Sequence, residues 1–447
     1  MGKTVYLETL GCVKNRVDSE IMLGGLINDG FRLTQEADEA EIVVINTCGF
    51  ITSAVKESID RILRLSELKE RGTCEKLIVV GCLSERYREK LFEEIPEIDV
   101  LMGTDDFTRI SLCIRNSLAG DGQRGYLKRR AGYSPNNYRA ERVLSTASHY
   151  AYLKIAEGCS NGCSFCNIPK LRGGFRSRPE EEVEREFHQL LDLGVKEINL
   201  VSQDSSSYGV DLAGNHNLLT LIRRLLNHGR EGFWLRVFYS YPNSYPMELL
   251  KLMRDDPRLV PYMDMPIQHI SDSVLKAMNR RIGGGEIENM LNRALETIGD
   301  LAIRTTLITG FPTERDKDFE ELVRFIEKGY FQHVGVFTYS MEENILAKKL
   351  GDRVDERIKE ERKNRIMEIQ QSISFKKNRA SIGQIQKVLI EGVCEETDLL
   401  LRGRNMYQGA DVDGVVLVND GEGRQGCFHE VKITEAHPYD VVGGILK

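Results

Sequence analysis

Cys159, Cys163 and Cys166 fall within eight residues, in the run Ala156-Glu157-Gly158-Cys159-Ser160-Asn161-Gly162-Cys163-Ser164-Phe165-Cys166. Three thiolates so close together on a glycine-containing loop can wrap one small metal cluster. They are also one short of the four cysteines that usually hold a four-iron cluster. The missing ligand leaves one iron open to bind something else, which points to catalysis rather than to a structural staple. The other reading is a zinc site, which wants four ligands. No nearby Cys or His completes one, because His149 lies before the preceding strand. We therefore expect iron and sulfur.

The loop directly follows an apolar segment, 151–156, which reads as the first of six strands. The others are expected at 197–202, 234–239, 262–267, 303–309 and 333–339, with helical patterns between them. Six β/α units suit a partial barrel, smaller than the closed eight-unit form, and such barrels carry their chemistry at the strands' carboxyl ends. A charged helix over 354–379 closes this unit. With 447 residues, the chain should hold roughly two to four domains. Residues 1–120 show four further β/α repeats, with strands at Val5-Tyr6-Leu7, Ile42-Val43-Val44-Ile45, Leu77-Ile78-Val79-Val80 and Asp99-Val100-Leu101-Met102. Helices are expected at 16–29, 52–70, 84–94 and 107–118, the pattern of an open parallel α/β sheet. Residues 121–147, rich in Gly, Pro and Asn and carrying Lys128-Arg129-Arg130, read as a linker. Residues 380–447 contain strand patterns and Gly turns but no helix, as in a small all-β barrel. The expected divisions are thus 1–120, 121–147, 148–379 and 380–447.

No segment approaches the roughly 18 apolar residues of a membrane span. The start, Met1-Gly2-Lys3-Thr4-Val5-Tyr6, lacks a signal-peptide core, and Tyr6 breaks a myristoylation pattern. A cytoplasmic protein with no membrane association is expected. Ten cysteines in a reducing compartment favour metal or redox use over disulfides. A net charge of −7 weighs against general nucleic-acid binding. Six Lys/Arg face eleven Asp/Glu over 381–447, leaving −5 there, so most of the negative charge sits in the last domain.

A second constellation is spread along the sequence. Cys12, Cys48 and Cys82 each follow a strand of the N-terminal sheet, 36 and 34 residues apart. In a parallel sheet those ends lie side by side, above the crevice where open α/β folds bind ligands. Three thiols at equivalent places can share a second cluster, again without a fourth protein ligand. Cys74, Cys113, Cys394 and Cys427 show no such convergence and read as packing or surface thiols. Phe165 either packs the loop or offers a flat face to a cofactor ring. Gln203 (with Asp204) and Gln268 end barrel strands two and four, and Thr309-Gly310-Phe311-Pro312 ends the fifth; these either touch a cofactor or are polar simply because strand ends are. Arg172, Arg176 and Arg178 form either a solvated loop face or a clamp for a substrate carboxylate.

These motifs resemble the radical S-adenosylmethionine superfamily. Leu10-Gly11-Cys12-Val13-Lys14-Asn15, Asn46-Thr47-Cys48 and Gly81-Cys82 resemble its methylthiotransferases, and the last domain is similar to a TRAM barrel. The opening Thr9–Glu20, the run Tyr152–Cys159 and Val201-Ser202-Gln203-Asp204-Ser205-Ser206-Ser207-Tyr208-Gly209 resemble the branch acting on an aspartate of small-subunit ribosomal protein S-twelve. The tRNA branch more often has Gly-Gln-Asn where Ser202-Gln203-Asp204 stands. Asn161-Gly162 departs from the basic residues common in the cluster loop.

The resemblance implies two 4Fe-4S clusters. The one at Cys159, Cys163 and Cys166 would cleave S-adenosylmethionine to a 5′-deoxyadenosyl radical that takes hydrogen from the aspartate β-carbon. The one at Cys12, Cys48 and Cys82 would deliver sulfur. A second S-adenosylmethionine would give the methyl group, and a flavodoxin-like or similar reductant the electron. The acidic last domain should attract a basic ribosomal protein and repel RNA. The alternative of a tRNA adenosine methylthiotransferase, with Lys128-Arg129-Arg130 on RNA, meets that charge. An electron carrier would need neither open irons nor a barrel.

Overall fold

The computed structural model describes residues 2–119, 125–127 and 142–446. Most of the segment read as a linker, including Lys128-Arg129-Arg130, lies outside them. The chain forms two compact units. One comprises Met1–Ser145, Glu157–Ser160 and Cys166–Glu182, the other Thr146–Ala156, Asn161–Phe165 and Val183–Lys447.

In the first unit six parallel strands run in the spatial order Arg32–Leu33, Thr4–Thr9, Ile42–Thr47, Lys76–Gly81, Val100–Met102 and Gly125–Leu127. The two inner strands are uninterrupted apolar runs because helices cover both faces of a parallel sheet. Ile42 to Ile45 and Leu77 to Val79 are accordingly solvent-free. Register aligns the strand ends, with Thr9 opposite Asn46 and Thr47 opposite Gly81. Two strands depart from expectation. Arg32–Leu33 is a two-residue edge, and Gly125–Leu127 adds a sixth strand inside the expected linker. The helix expected at 84–94 is two short helices, Cys82–Tyr87 and Glu89–Glu94, because Arg88 between them has φ 49°. The first helix begins at Val13, directly behind Cys12.

In the second unit the six expected barrel strands form as Tyr150–Lys154, Glu197–Val201, Trp234–Val237, Tyr262–Asp264, Ala302–Thr309 and His333–Thr338. They make two parallel three-stranded sheets joined by the bridge Leu235–Leu259. The closing helix is Glu356–Arg379. Residues 385–445 form a closed five-stranded barrel around Val388, Ile390, Val416, Val418, Val431, Ile433 and Val441. No helix among the described residues is long and apolar enough to cross a membrane.

The final barrel spends part of its charge inward. Arg404, 1% exposed, lies 2.5 Å from Glu197 and 2.7 Å from Glu391. Asp411 accepts from Tyr150 and Tyr152 at 2.9 and 3.0 Å, and Asp413 from Tyr262 at 2.6 Å. Desolvation pushes the Glu391 carboxyl up, but His149 and Arg404 outweigh it and hold the group at about 2. Removing one member of such a network leaves a buried charge uncompensated. Arg404→Met should therefore cost about 3–5 kcal/mol, read as an earlier unfolding transition in urea.

Candidate functional site

The N-terminal cysteines meet where the aligned strands end. All ten cysteines are free thiols, with Cys12 exposed, Cys48 half-buried and Cys82 buried. Their loops are pressed together through glycines. A Cβ on Gly11, at φ +89°, would lie 2.6 Å from the Cys48 Cβ, and one on Gly49 would lie 2.8 Å from the Cys82 carbonyl oxygen. Only residues without side chains permit that approach. Asn15 Nδ2 ties the strand ends together by donating to the Leu10 and Thr47 carbonyls at 2.9 and 3.0 Å. Asn46 Nδ2 in turn donates to the Asn15 carbonyl and to Ser19 Oγ, each at 2.9 Å.

The three thiols differ electrostatically. Desolvation pushes Cys12 up, but the charges of Lys14 and Arg172 and nearby backbone hydrogen bonds bring it below its usual value. Burial pushes Cys48 up to about 11 and Cys82 in the same direction. The donor set fits a cluster better than a lone ion. Among the described residues, three ligand atoms lie within 4.8 Å of one another only at Glu184, His188 and His228. Tetrahedral zinc, with Zn–S of about 2.3 Å, needs sulfurs about 3.8 Å apart. Cys12, Cys48 and Cys82 are spread wider than that. The Glu184 trio itself is an ion-pair network, since its carboxylate carries Arg224 and His228, each at 2.6 Å.

The loop of Cys159, Cys163 and Cys166 is held by its own backbone. Gly158 takes φ +77°, and a Cβ there would lie 2.2 Å from the Gly174 carbonyl oxygen. Cys159 N donates to the Gly173 carbonyl at 3.1 Å. Within the second unit Asn161 donates to Asp204 at 2.7 Å, and the Gly162 carbonyl accepts from Asn279 at 2.7 Å. Ser164 N donates to the Met278 carbonyl at 2.9 Å. Asn161 thus has a defined anchor where the related pattern carries a basic residue. Basic charge comes instead from Arg280, 3.9 Å from Cys163 Sγ, stacked 4.1 Å over the Tyr241 ring and bound to the Pro266 carbonyl. Neither Arg280 nor Tyr241 was marked by any motif spacing.

The remaining candidates separate. Gln268 lies four residues past the strand Tyr262–Asp264, at φ 71°, its backbone bridged to Thr306 and Ile308, with Oε1 buried and unpartnered. A strained backbone with an unsatisfied oxygen is the profile of a ligand contact. Gln203 lies two residues past the strand Glu197–Val201, beside Asp204, whose carboxylate accepts from Ser206, Ser207 and Asn161. Phe165 packs against Val274, Met278, Phe311, Tyr339, Ile345 and Ala347, so it serves loop packing. Phe311 is fully buried in the same cluster, which removes it from cofactor contact. His149, buried, faces Glu391 at 3.5 Å.

The arginines do not make an open clamp. Arg172 and Arg178 are 2% and 0% exposed, and Arg176 pairs with Asp105 at 3.0 Å. Arg172 is bound by Asp18, Glu157 and Asn15. Its fork is filled by the chain's own acceptors, leaving no free edge for a substrate carboxylate.

Three family models match in order: Uncharacterized protein family UPF0004 over residues 4–103, the Radical SAM superfamily over 153–326, and the TRAM domain over 382–446. The chain is 44% identical over 446 residues to the ribosomal protein uS12 methylthiotransferase RimO of Geobacter sulfurreducens, covering 99% of this chain and 98% of that one. It is 42% identical to the protein of the same name from Myxococcus xanthus, covering 100% and 92%. Among solved structures it resembles the radical S-adenosylmethionine methyltransferase TsrM from Kitasatospora setae, with TM-score 0.57 and 13% identity over 76% of this chain and 72% of that one. That likeness speaks to the fold. The relatives speak to kinship across almost the whole length, and the chain belongs to the uS12 methylthiotransferase family of the radical SAM superfamily.

Proposed function

We propose that this chain is a radical S-adenosylmethionine methylthiotransferase that places sulfur and a methyl group on the β-carbon of an aspartate in ribosomal protein uS12. The carrying observation is the meeting of Cys12, Cys48 and Cys82 at aligned strand ends, in a chain that also bears the three-cysteine barrel loop and matches uS12 methylthiotransferases end to end. When bound, two 4Fe-4S clusters and S-adenosylmethionine supply the reducing electron, the hydrogen-abstracting radical, the sulfur and the methyl group.

The chain's own residues do the holding. Cys159, Cys163 and Cys166 bind the radical-generating cluster within residues 148–379, and the electron comes from a flavodoxin-like reductant. Arg280 lends Cys163 a positive neighbour, and Gln268 offers its unpartnered oxygen to S-adenosylmethionine, with Gln203 as a second contact from the second barrel strand. Cys12, Cys48 and Cys82 bind the sulfur-delivering cluster within residues 1–120.

Residues 380–447 recruit substrate. With Glu391 and Asp413 turned to internal partners and Asp411, though exposed, bonded to Tyr150 and Tyr152, the outward acids without such partners on this barrel are Glu395, Glu396, Asp398, Asp420, Glu422, Glu430 and Glu435. The first three crowd the turn of the hairpin Ile385–Asn405, next to Leu399 at 87% exposure. A basic ribosomal protein fits such a tip, whereas RNA phosphate is repelled. Glu395→Lys, Glu396→Lys and Asp398→Lys together should raise the KM for uS12 about tenfold with little change in kcat, the difference shrinking at high salt. The whole reading is tested by anaerobic reconstitution, reduction and addition of S-adenosylmethionine, with uS12 and tRNA offered separately. Methylthio mass gain on uS12 supports it, and gain on tRNA alone overturns it.

A further inference from the structure

Arg172 touches both cysteine loops of the first unit. Nη1 donates to Asp18 Oδ2 at 2.8 Å and to Glu157 Oε2 at 2.9 Å, and Nη2 donates to Asn15 Oδ1. Asn15 and Asp18 lie in the helix that starts behind Cys12, and Asn15 itself bonds the ends of two strands. Glu157 stands two residues before Cys159, and Arg172 six residues after Cys166. A Cβ on Gly11 would lie 3.0 Å from the Cys48 sulfur and 3.5 Å from Asn15 Nδ2, so one asparagine separates the guanidinium from the place where the Cys12 and Cys48 loops meet. One buried cation therefore stands between the N-terminal thiol loops and two carboxylates.

We propose that Arg172 is a positioning residue that sets the reduction potential of the cluster at Cys12, Cys48 and Cys82, through its buried charge, which Asn15 holds against the strand ends. This rests on the cluster assignment above. Reduction adds negative charge to a cluster, and a nearby buried cation favours that charge. Because Glu157 and Asp18 share the same guanidinium, the groups that orient the two cysteine loops are also the groups that offset its charge.

The test is an anaerobic redox titration followed by electron paramagnetic resonance, on full-length chains carrying one cluster each. Cys159→Ala/Cys163→Ala/Cys166→Ala keeps the N-terminal cluster, and Cys12→Ala/Cys48→Ala/Cys82→Ala keeps the other. In the first background, Arg172→Gln should lower the ratio of reduced to oxidised cluster at fixed potential about tenfold, or about 59 mV for a one-electron couple. Arg172→Lys should restore at least half of that shift. Asp18→Asn, which keeps its acceptor oxygen and loses its charge, should move the potential the opposite way. In the second background Arg172→Gln should shift the ratio less than threefold.

Full iron content with an unmoved potential, or equal shifts in both backgrounds, would overturn the role. If Arg172→Gln fails to hold iron, Asp18→Asn decides: a rise supports the proposal, and no change or a fall overturns it. A first-background parent that binds no iron overturns the cluster assignment itself, and the Arg172 role with it.

Discussion

Replacing Cys159, Cys163 and Cys166 together by Ala abolishes S-adenosylmethionine cleavage and uS12 methylthiolation, both falling to the level of a control without enzyme. Bound iron drops from about eight to about four per chain. The loop keeps its path without its sulfurs, because what holds it is backbone and amide chemistry. Asn161 donates to Asp204, the Gly162 carbonyl accepts from Asn279, and the peptide N–H groups of Ser164 and Cys159 donate to the Met278 and Gly173 carbonyls. None of these uses a thiol. The variant should unfold with the parent, and the lost activity then belongs to the ligand set. Chromatographic detection of 5′-deoxyadenosine reads the first effect and mass spectrometry of uS12 the second. Residual cleavage above a few per cent would place the radical chemistry elsewhere.

Arg280→Met makes a useful companion in that measurement, since it removes the cation 3.9 Å from Cys163 while sparing every ligand. No spacing in the sequence links Arg280 to Cys163, and their proximity needs the fold. The same limit explains Arg172. Its partners Asp18 and Glu157 lie 154 and 15 residues away, so a run of arginines that read either as a solvated loop face or as a carboxylate clamp holds, at Arg172, a buried hub. The cysteines were legible for the opposite reason. Cys12, Cys48 and Cys82 occupy equivalent places in successive β/α repeats, and a parallel sheet turns that equivalence into nearness. The strong strands were legible too, because burial on both faces demands unbroken apolar runs such as Ile42–Ile45. Arg32–Leu33 and Gly125–Leu127 carry two and three residues, too few for periodicity to register. The break at Arg88 was hidden because an arginine with positive φ leaves no mark in composition. Gln268 was found only as a polar strand end; its unpartnered oxygen and φ of 71° mark it out from other polar strand ends.

Cys12→Ala, Cys48→Ala and Cys82→Ala together should separate the two halves of the reaction. S-adenosylmethionine is still cleaved, within about threefold of the parent rate, while methylthiolated uS12 falls to background and iron drops to about four per chain. The sheet tolerates the change because its stability lies in the apolar strands and the Asn15 and Asn46 amide bonds, which the substitutions leave intact. Ala is also smaller than Cys at each site and keeps the Cβ and backbone carbonyl that meet Gly11 and Gly49, so the substitutions add no strain to that close approach. Radical formation needs only the barrel loop, whereas forming a carbon–sulfur bond needs sulfur at the strand ends. A radical made without a sulfur donor must be spent otherwise, so uncoupled 5′-deoxyadenosine should accumulate in excess of any modified protein. The ratio of 5′-deoxyadenosine to methylthiolated uS12 is the decisive quantity. If cleavage disappears with product while the circular dichroism and thermal transition match the parent, the two cysteine sets do not divide the work, and both belong to one chemical step.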